Sequence, residues 1–278
     1  MDVSTVLANG ELGTLALGLA IAGVVAGLVA GMLGVGGGIV IVPVMYHVLG
    51  IIGVEEGLRM HVAVGTSLAT IIPTSFSSLN SHNKKGAVDW ALLKRWIVPM
   101  FAGVLIGSVL AGVARGQVLT LIFGLVAMPV AAQLAFGKES WRLADHIPAG
   151  LGGALLPFGI GGVSTMMGIG GGTIGVPAQT LCGVPIHRAV GTASAFGAII
   201  SVPGAIGALI AGWGAHGLPP YSYGYVNLMG FAIIAPIAFF TAPLGAHIAH
   251  MSDRNRLRKM FAFFVAITAA KMLWEVLS

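Results

Sequence analysis

Charge is what this chain has least of. Only 8% of its 278 residues are Asp, Glu, Lys or Arg, while 56% are hydrophobic and mean hydropathy is +0.95. Soluble domains carry about 25% charged residues, so an ordinary soluble globule is excluded. No formal charge occurs between Glu11 and Glu55, and only Arg188 and Asp253 lie between Asp145 and Arg254. Cysteine is nearly absent as well. Cys182 stands alone, which excludes an intramolecular disulfide and a cysteine-cluster metal site; it reads as a small buried apolar residue. Carboxylates are so scarce in the apolar runs that the buried acid–base pairs of an intramembrane enzyme are missing.

Nucleotide chemistry is missing too. Gly170, Gly172 and Gly175 spell G-x-G-x-x-G, but a span-length apolar run precedes them and no acidic residue follows until Asp253, unlike a dinucleotide fingerprint. No lysine follows either glycine triplet, so there is no P-loop and no expected ATP drive. His247 and His250 lack a third ligand nearby, so no metal site and no cofactor are expected. The net charge of +5 does not indicate nucleic acid, because the basic residues cluster between apolar runs, as the positive-inside rule describes.

What remains is a series of long apolar runs, near 12–33, 62–80, 92–112, 118–137, 147–167, 189–212, 224–248 and 258–277. Each approaches the ~20 residues a helix needs to cross a bilayer. The first run is too long for a signal peptide and lacks a basic leader, so it reads as a span. Two shorter pieces, 39–50 and 173–183, cannot cross at about 1.5 Å per residue. The expected fold is therefore an all-α polytopic membrane protein with about eight spans and two half-helices. The bilayer is its solvent.

Basic loops His82–Arg95 and His250–Lys259 should face the cytoplasm, as should Gly137–His146. The uncharged, aromatic loop Trp213–Tyr225 should face outward. Counting crossings then makes 147–186 enter and return on one side, and 12–58 do so on the other. Each half becomes a glycine-tipped hairpin followed by three crossings. Residues 1–137 form the first repeat, 138–146 the connection and 147–278 the second repeat, inverted relative to the first. Both termini are expected outside the cytoplasm.

The halves match in detail. In "GMLGVGGGIVIVP" and "TMMGIGGGTIGVP", Met32, Gly34, Gly36, Gly37, Gly38, Val42 and Pro43 correspond to Met166, Gly168, Gly170, Gly171, Gly172, Val176 and Pro177. "HVAVGTS" (His61–Ser67) then matches "HRAVGTA" (His187–Ala193), after eight extra residues in the first half. Matched interruptions in two halves point to a transporter's midplane site; close helix packing through glycine is the simpler alternative. Broken backbone at membrane depth needs protein or a water-filled cavity around it. The helices restarting at Ile39 and Thr173 have unpaired first amides and a positive dipole end, which suits an anion.

Candidate substrate-binding residues are thus Gly36, Gly37, Gly38 and Ile39 with Gly170, Gly171, Gly172 and Thr173. Thr66, Ser67, Thr192 and Ser194 offer hydroxyls that donate to an oxyanion without adding charge, or that bond back along their own helix. Gln179 is a further polar candidate, since an unsatisfied buried amide is costly. Arg188 reads as an anion gate or as a positive-inside marker. His61 and His187 hold matched positions and suggest proton coupling, histidine being the residue type that titrates near neutrality, or they are plain interfacial histidines.

The paired motifs, with "AVGTSLATIIPTS" and "AVGTASAF", resemble those of the sulfite exporter TauE/SafE family of membrane permeases over roughly residues 12–277. That resemblance implies transport of a small sulfur-containing anion, such as sulfite or an organosulfonate, across the bacterial inner membrane. The expected activity is secondary transport by alternating access, with export the more expected direction. The expected partners are the anionic substrate, the lipid bilayer and a coupling proton; a homo-oligomer is left open. The rival readings are a passive anion channel and a non-transporting membrane subunit.

Overall fold

A computed structural model describes residues 11–33, 36–137, 141–148, 150–251 and 254–277. The N-terminal stretch before Glu11, Gly34 of the first motif, part of the 137–146 connection, and Asp253 lie outside the described residues. Ten helices follow in order: α1 (Glu11–Leu33), α2 (Gly38–Ile51), α3 (Glu56–Lys84), α4 (Trp90–Val113), α5 (Gly116–Phe136), α6 (Gly150–Met167), α7 (Gly172–Leu181), α8 (Ile186–Ala211), α9 (Leu228–Met251) and α10 (Arg254–Leu277). A small antiparallel hairpin, β1 (Ser222–Tyr223) and β2 (Val226–Asn227), precedes α9. Every expected span and both short pieces coincide with a helix.

The chain is a helical, multi-pass membrane protein. Six helices (α3, α4, α5, α6, α8 and α9) are long and apolar enough to cross a bilayer. α1 offers the shorter apolar stretch Ala16–Met32, and α10 carries Lys259, Lys271 and Glu275 along its length. The expected count of eight spans therefore rests on those two helices as well. Lipid-type surface is plain on α4, where Val98, Phe101, Leu105 and Val109 are all exposed. Pro73, Pro129, Pro203, Pro236 and Pro243 lie inside helices, where neighbouring helices re-satisfy the backbone groups that proline frees.

α3 lies at the centre and packs along α8. Around this pair the contacts occur in matched sets. α1 packs on α9 as α6 packs on α4; α2 leans on α3 as α7 leans on α8; α9 touches α3 as α4 touches α8; α5 pairs with α10. Glycine makes the closest of these approaches possible, since association in lipid depends on close packing rather than on hydrophobic expulsion. Gly23 and Gly27, one turn apart on α1, face α9; a Cβ on Gly27 would lie 2.5 Å from the Ala238 carbonyl oxygen. Gly103 and Gly107 play the same part on α4 against α6, where a Cβ on Gly107 would lie 2.5 Å from Gly162 O.

Candidate functional site

The glycine triplets do break the helices. α1 ends at Leu33 and α2 restarts at Gly38; α6 ends at Met167 and α7 restarts at Gly172. Gly36 and Gly37 have φ of +77° and +75°, the left-handed region where a Cβ is costly. In the second break Gly168 takes that role at +67°, while the cap of α7, Gly171, is right-handed at φ −57°. Neither half-helix receives a side-chain cap. Pro43 and Pro177 hold the same register within α2 and α7.

The two breaks meet. A Cβ on Gly36 would lie 3.3 Å from the Gly170 Cα, and one on Gly38 would lie 2.5 Å from Gly168 O and 2.8 Å from the Ile169 Cα. Ser67 Oγ donates to Gly168 O at 2.6 Å, tying α3 to the second break. Phe196, stacked on Trp96 at 5.5 Å, covers Gly171, whose added Cβ would fall 2.6 Å from the Phe196 Cβ. Both triplets are buried, so in this conformation the backbone at their meeting point is closed to solvent.

Matched backbone does not mean matched chemistry. The second break carries hydroxyls where the first is apolar. Ser164 and Thr173 flank it, with 0% and 3% of their surface exposed, and neither hydroxyl has a hydrogen-bond partner. Their counterparts in the first motif are Ala30 and Ile39. Sequence reasoning missed Ser164, which stands just before its quoted motif; the signal was a hydroxyl within one turn of a helix break. Gln179 is fully buried and clamps α7 to α8. Its Nε2 donates to Gly175 O at 3.0 Å and Ala189 O at 3.3 Å, and its Oε1 is left without a donor.

The threonines of the two AVGT motifs form mirrored contacts. Thr66 Oγ1 accepts the Asn227 N–H at 2.9 Å, and Thr192 Oγ1 accepts the Asp89 N–H at 2.9 Å. Asp89 caps α4, its Oδ1 accepting from Leu92 N, and Asn227 does the same at the start of α9 through Gly230 N. Each AVGT threonine thus braces the helix cap of the opposite half. The glycine beside each lets the loop close in: a Cβ on Gly191 would lie 2.5 Å from Ala87 O, and Gly65 meets Tyr225 O in the same manner. Ser194 Oγ bonds back to Gly191 O at 2.6 Å, the local pattern of helical serine.

The matched histidines part company. His187 is exposed, and Arg188 beside it donates to Asp89 Oδ2 at 3.0 Å. His61 is buried. Its Nδ1 lies 3.0 Å from Gly57 O and its Nε2 lies 3.1 Å from Ala114 O, and its ring rests on Tyr225 with centroids 4.7 Å apart. His61 also lines two cavities, a wider one of about 300 Å³ with Glu56, Arg115 and Gln117, and a narrow one of about 20 Å³ that reaches Ser108, Leu119 and Thr165. Among the described residues no cluster of His, Cys, Asp or Glu is arranged to hold a metal.

A polytopic helical protein with two helix breaks closed on each other is built as a membrane transporter. A family model described as "Sulfite exporter TauE/SafE" matches residues 19–272, and the chain belongs to that family. It is 31% identical to a "Probable membrane transporter protein" of Haemophilus influenzae over 241 residues, covering 87% of this chain and 91% of that one. A second protein so described, from Methanocaldococcus jannaschii, is 25% identical over 256 residues, 92% of this chain and 94% of that one. One from Xylella fastidiosa is 29% identical over 115 residues, 41% and 42% of the two chains. No solved structure matches.

Proposed function

We propose that the chain is a secondary transporter, and more specifically an exporter, of a small sulfur-containing anion such as sulfite or an organosulfonate. It works in the bacterial inner membrane by alternating access, with both termini on the periplasmic side. The observation that carries this reading is the start of α7. No side chain caps that end, although the Thr173 amide donates to Gly170 O at 3.3 Å, and the buried Thr173 hydroxyl has no partner. The dipole at such an end favours negative charge, and a hydroxyl donates without adding a buried cation, which lipid penalises.

The site is centred on Gly170, Gly171, Gly172 and Thr173, with Gly36 and Gly37 of the first break and Gly38 and Ile39 at the start of α2 beside it. Ser67 positions this backbone through Gly168 O, while Thr66 and Thr192 brace the helix caps at Asn227 and Asp89 and keep a hydroxyl proton to donate. Two inverted repeats, 1–137 and 147–278, supply the moving parts; the exchange of packing partners between the halves supports that reading. Arg188, through Asp89, fastens one face of the assembly.

The test is flux in liposomes holding this chain alone. Labelled sulfite should enter with a saturable rate and show counter-flow when trans-loaded. A rate that rises linearly with concentration and lacks counter-flow would replace the carrier by a channel. No flux of sulfite, thiosulfate or short sulfonates would overturn the proposal.

A further inference from the structure

His61 is the lining residue that two cavities have in common. The wider one, about 300 Å³, lies against Glu56, Gly57, Arg115, Gly116 and Gln117, room enough for a small hydrated anion. The narrow one, about 20 Å³, holds roughly one water. It is walled by α3, α4, α5, α6 and α8, and Thr165, three residues before the left-handed Gly168 of the second break, is part of its lining. We propose that these cavities are one access route to the α7 site, and that His61 is its proton-operated gate. The inference rests on the transport reading above.

The chemistry lies in the two acceptors. Gly57 O and Ala114 O are carbonyls and offer no proton. Only the imidazolium donates from both ring nitrogens; a neutral ring donates from one and turns a lone pair toward the other carbonyl. Protonated His61 therefore bridges α3 to the end of α4 and shuts the route. Its cation also sits on the face of Tyr225, a favourable placement. Loss of the proton frees one of the two carbonyls and lets the ring swing.

The groups facing the ring are few. Glu56 comes from α3 and Arg115 from the α4–α5 turn, opposite in sign, and the Tyr225 ring covers it from the loop before α9. From α4, α5, α6 and α8 the walls of the narrow cavity present only uncharged side chains, Ser108 and Thr165 being the polar ones. His61 alone lines both cavities.

Reagent access tests this directly on the full chain. In a Cys182→Ser background, Ser108→Cys reports the inner cavity and Gln117→Cys the outer one. The probe is ethylsulfonate methanethiosulfonate, a small thiol reagent carrying a sulfonate. Purified protein in detergent removes any question of sidedness. The inner-to-outer labelling ratio should rise at least 5-fold from about pH 6 to about pH 8 with His61 in place, the range in which histidine side chains commonly change charge. In His61→Gln, whose amide cannot become a double donor, the ratio should be flat with pH. Ala111→Cys serves as the inner reporter if Ser108→Cys fails to fold. A ratio that is flat in both backgrounds, or that rises equally in both, overturns the gate. Sulfite flux with an unresponsive ratio removes the gate alone; a responsive ratio without sulfite flux removes the cargo alone.

Discussion

Thr192 and Asp89, 103 positions apart in sequence, are joined by a hydrogen bond of 2.9 Å from the Asp89 amide to the threonine hydroxyl. Thr66 and Asn227 repeat that bond at the same length. A threonine on the central helix of one half thereby fixes where a helix of the other half begins.

Replacing either threonine by valine keeps the shape and strands a backbone N–H. An unsatisfied buried donor costs about 1–3 kcal/mol. Thr66→Val and Thr192→Val should each lower the melting temperature in detergent, and Thr→Ser at either site should recover most of the loss. Melting curves unchanged by both valines would show that these bonds hold nothing.

Asp89 has two tasks that substitution separates. Asp89→Asn keeps a capping oxygen for Leu92 N and removes the ion pair with Arg188. That pair is largely exposed, with 58% of the Arg188 side chain in solvent, and such pairs contribute about 0–1 kcal/mol. Asp89→Ala removes the cap as well, costing about 0.5–2 kcal/mol. Thermal unfolding should rank them wild type, Asn, then Ala, with the larger step at Ala.

Thr173 should behave in the opposite sense to Thr66. Its hydroxyl is buried and unpartnered, so Thr173→Val removes a desolvation cost and should leave the melting temperature unchanged or raised. The upward shift that sulfite gives the wild type should shrink or vanish. A stability loss equal to that of Thr66→Val would place the hydroxyl in the framework instead.

Helix-packing glycines should divide by what stands opposite them. Gly107→Ala would set a Cβ 2.5 Å from Gly162 O, whereas Gly18 and Gly159 have nothing within 4 Å. Gly107→Ala should sharply reduce monodisperse protein on size exclusion; Gly18→Ala and Gly159→Ala should match wild type.

Much of this architecture could be read from the chain. Among the described residues, ten helices sit where apolar runs and glycine triplets placed them, because backbone in lipid has few ways to satisfy its own polar groups. The long-range contacts were less legible. Thr66 and Thr192 read as substrate hydroxyls, and their oxygens also accept from backbone amides 161 and 103 positions away. No local pattern encodes such a contact. His61 and His187 read as equivalents, but His187 is exposed while His61 is buried, with Tyr225 against its ring and Gly57 O beside its Nδ1. The matched motifs place the two helix breaks well and their side-chain environment poorly, since the second motif region departs from the first at Ser164, Thr173 and Gln179, where Ala30, Ile39 and Met45 stand.

The contact between Gly36 and Gly170 has a practical corollary for anyone mapping this molecule by mutation. A scan that trims side chains to alanine has nothing to trim there; at glycine the same scan inserts a carbon. Subtractive surveys will leave the middle of the protein blank on the map, and only variants that add bulk will make it visible.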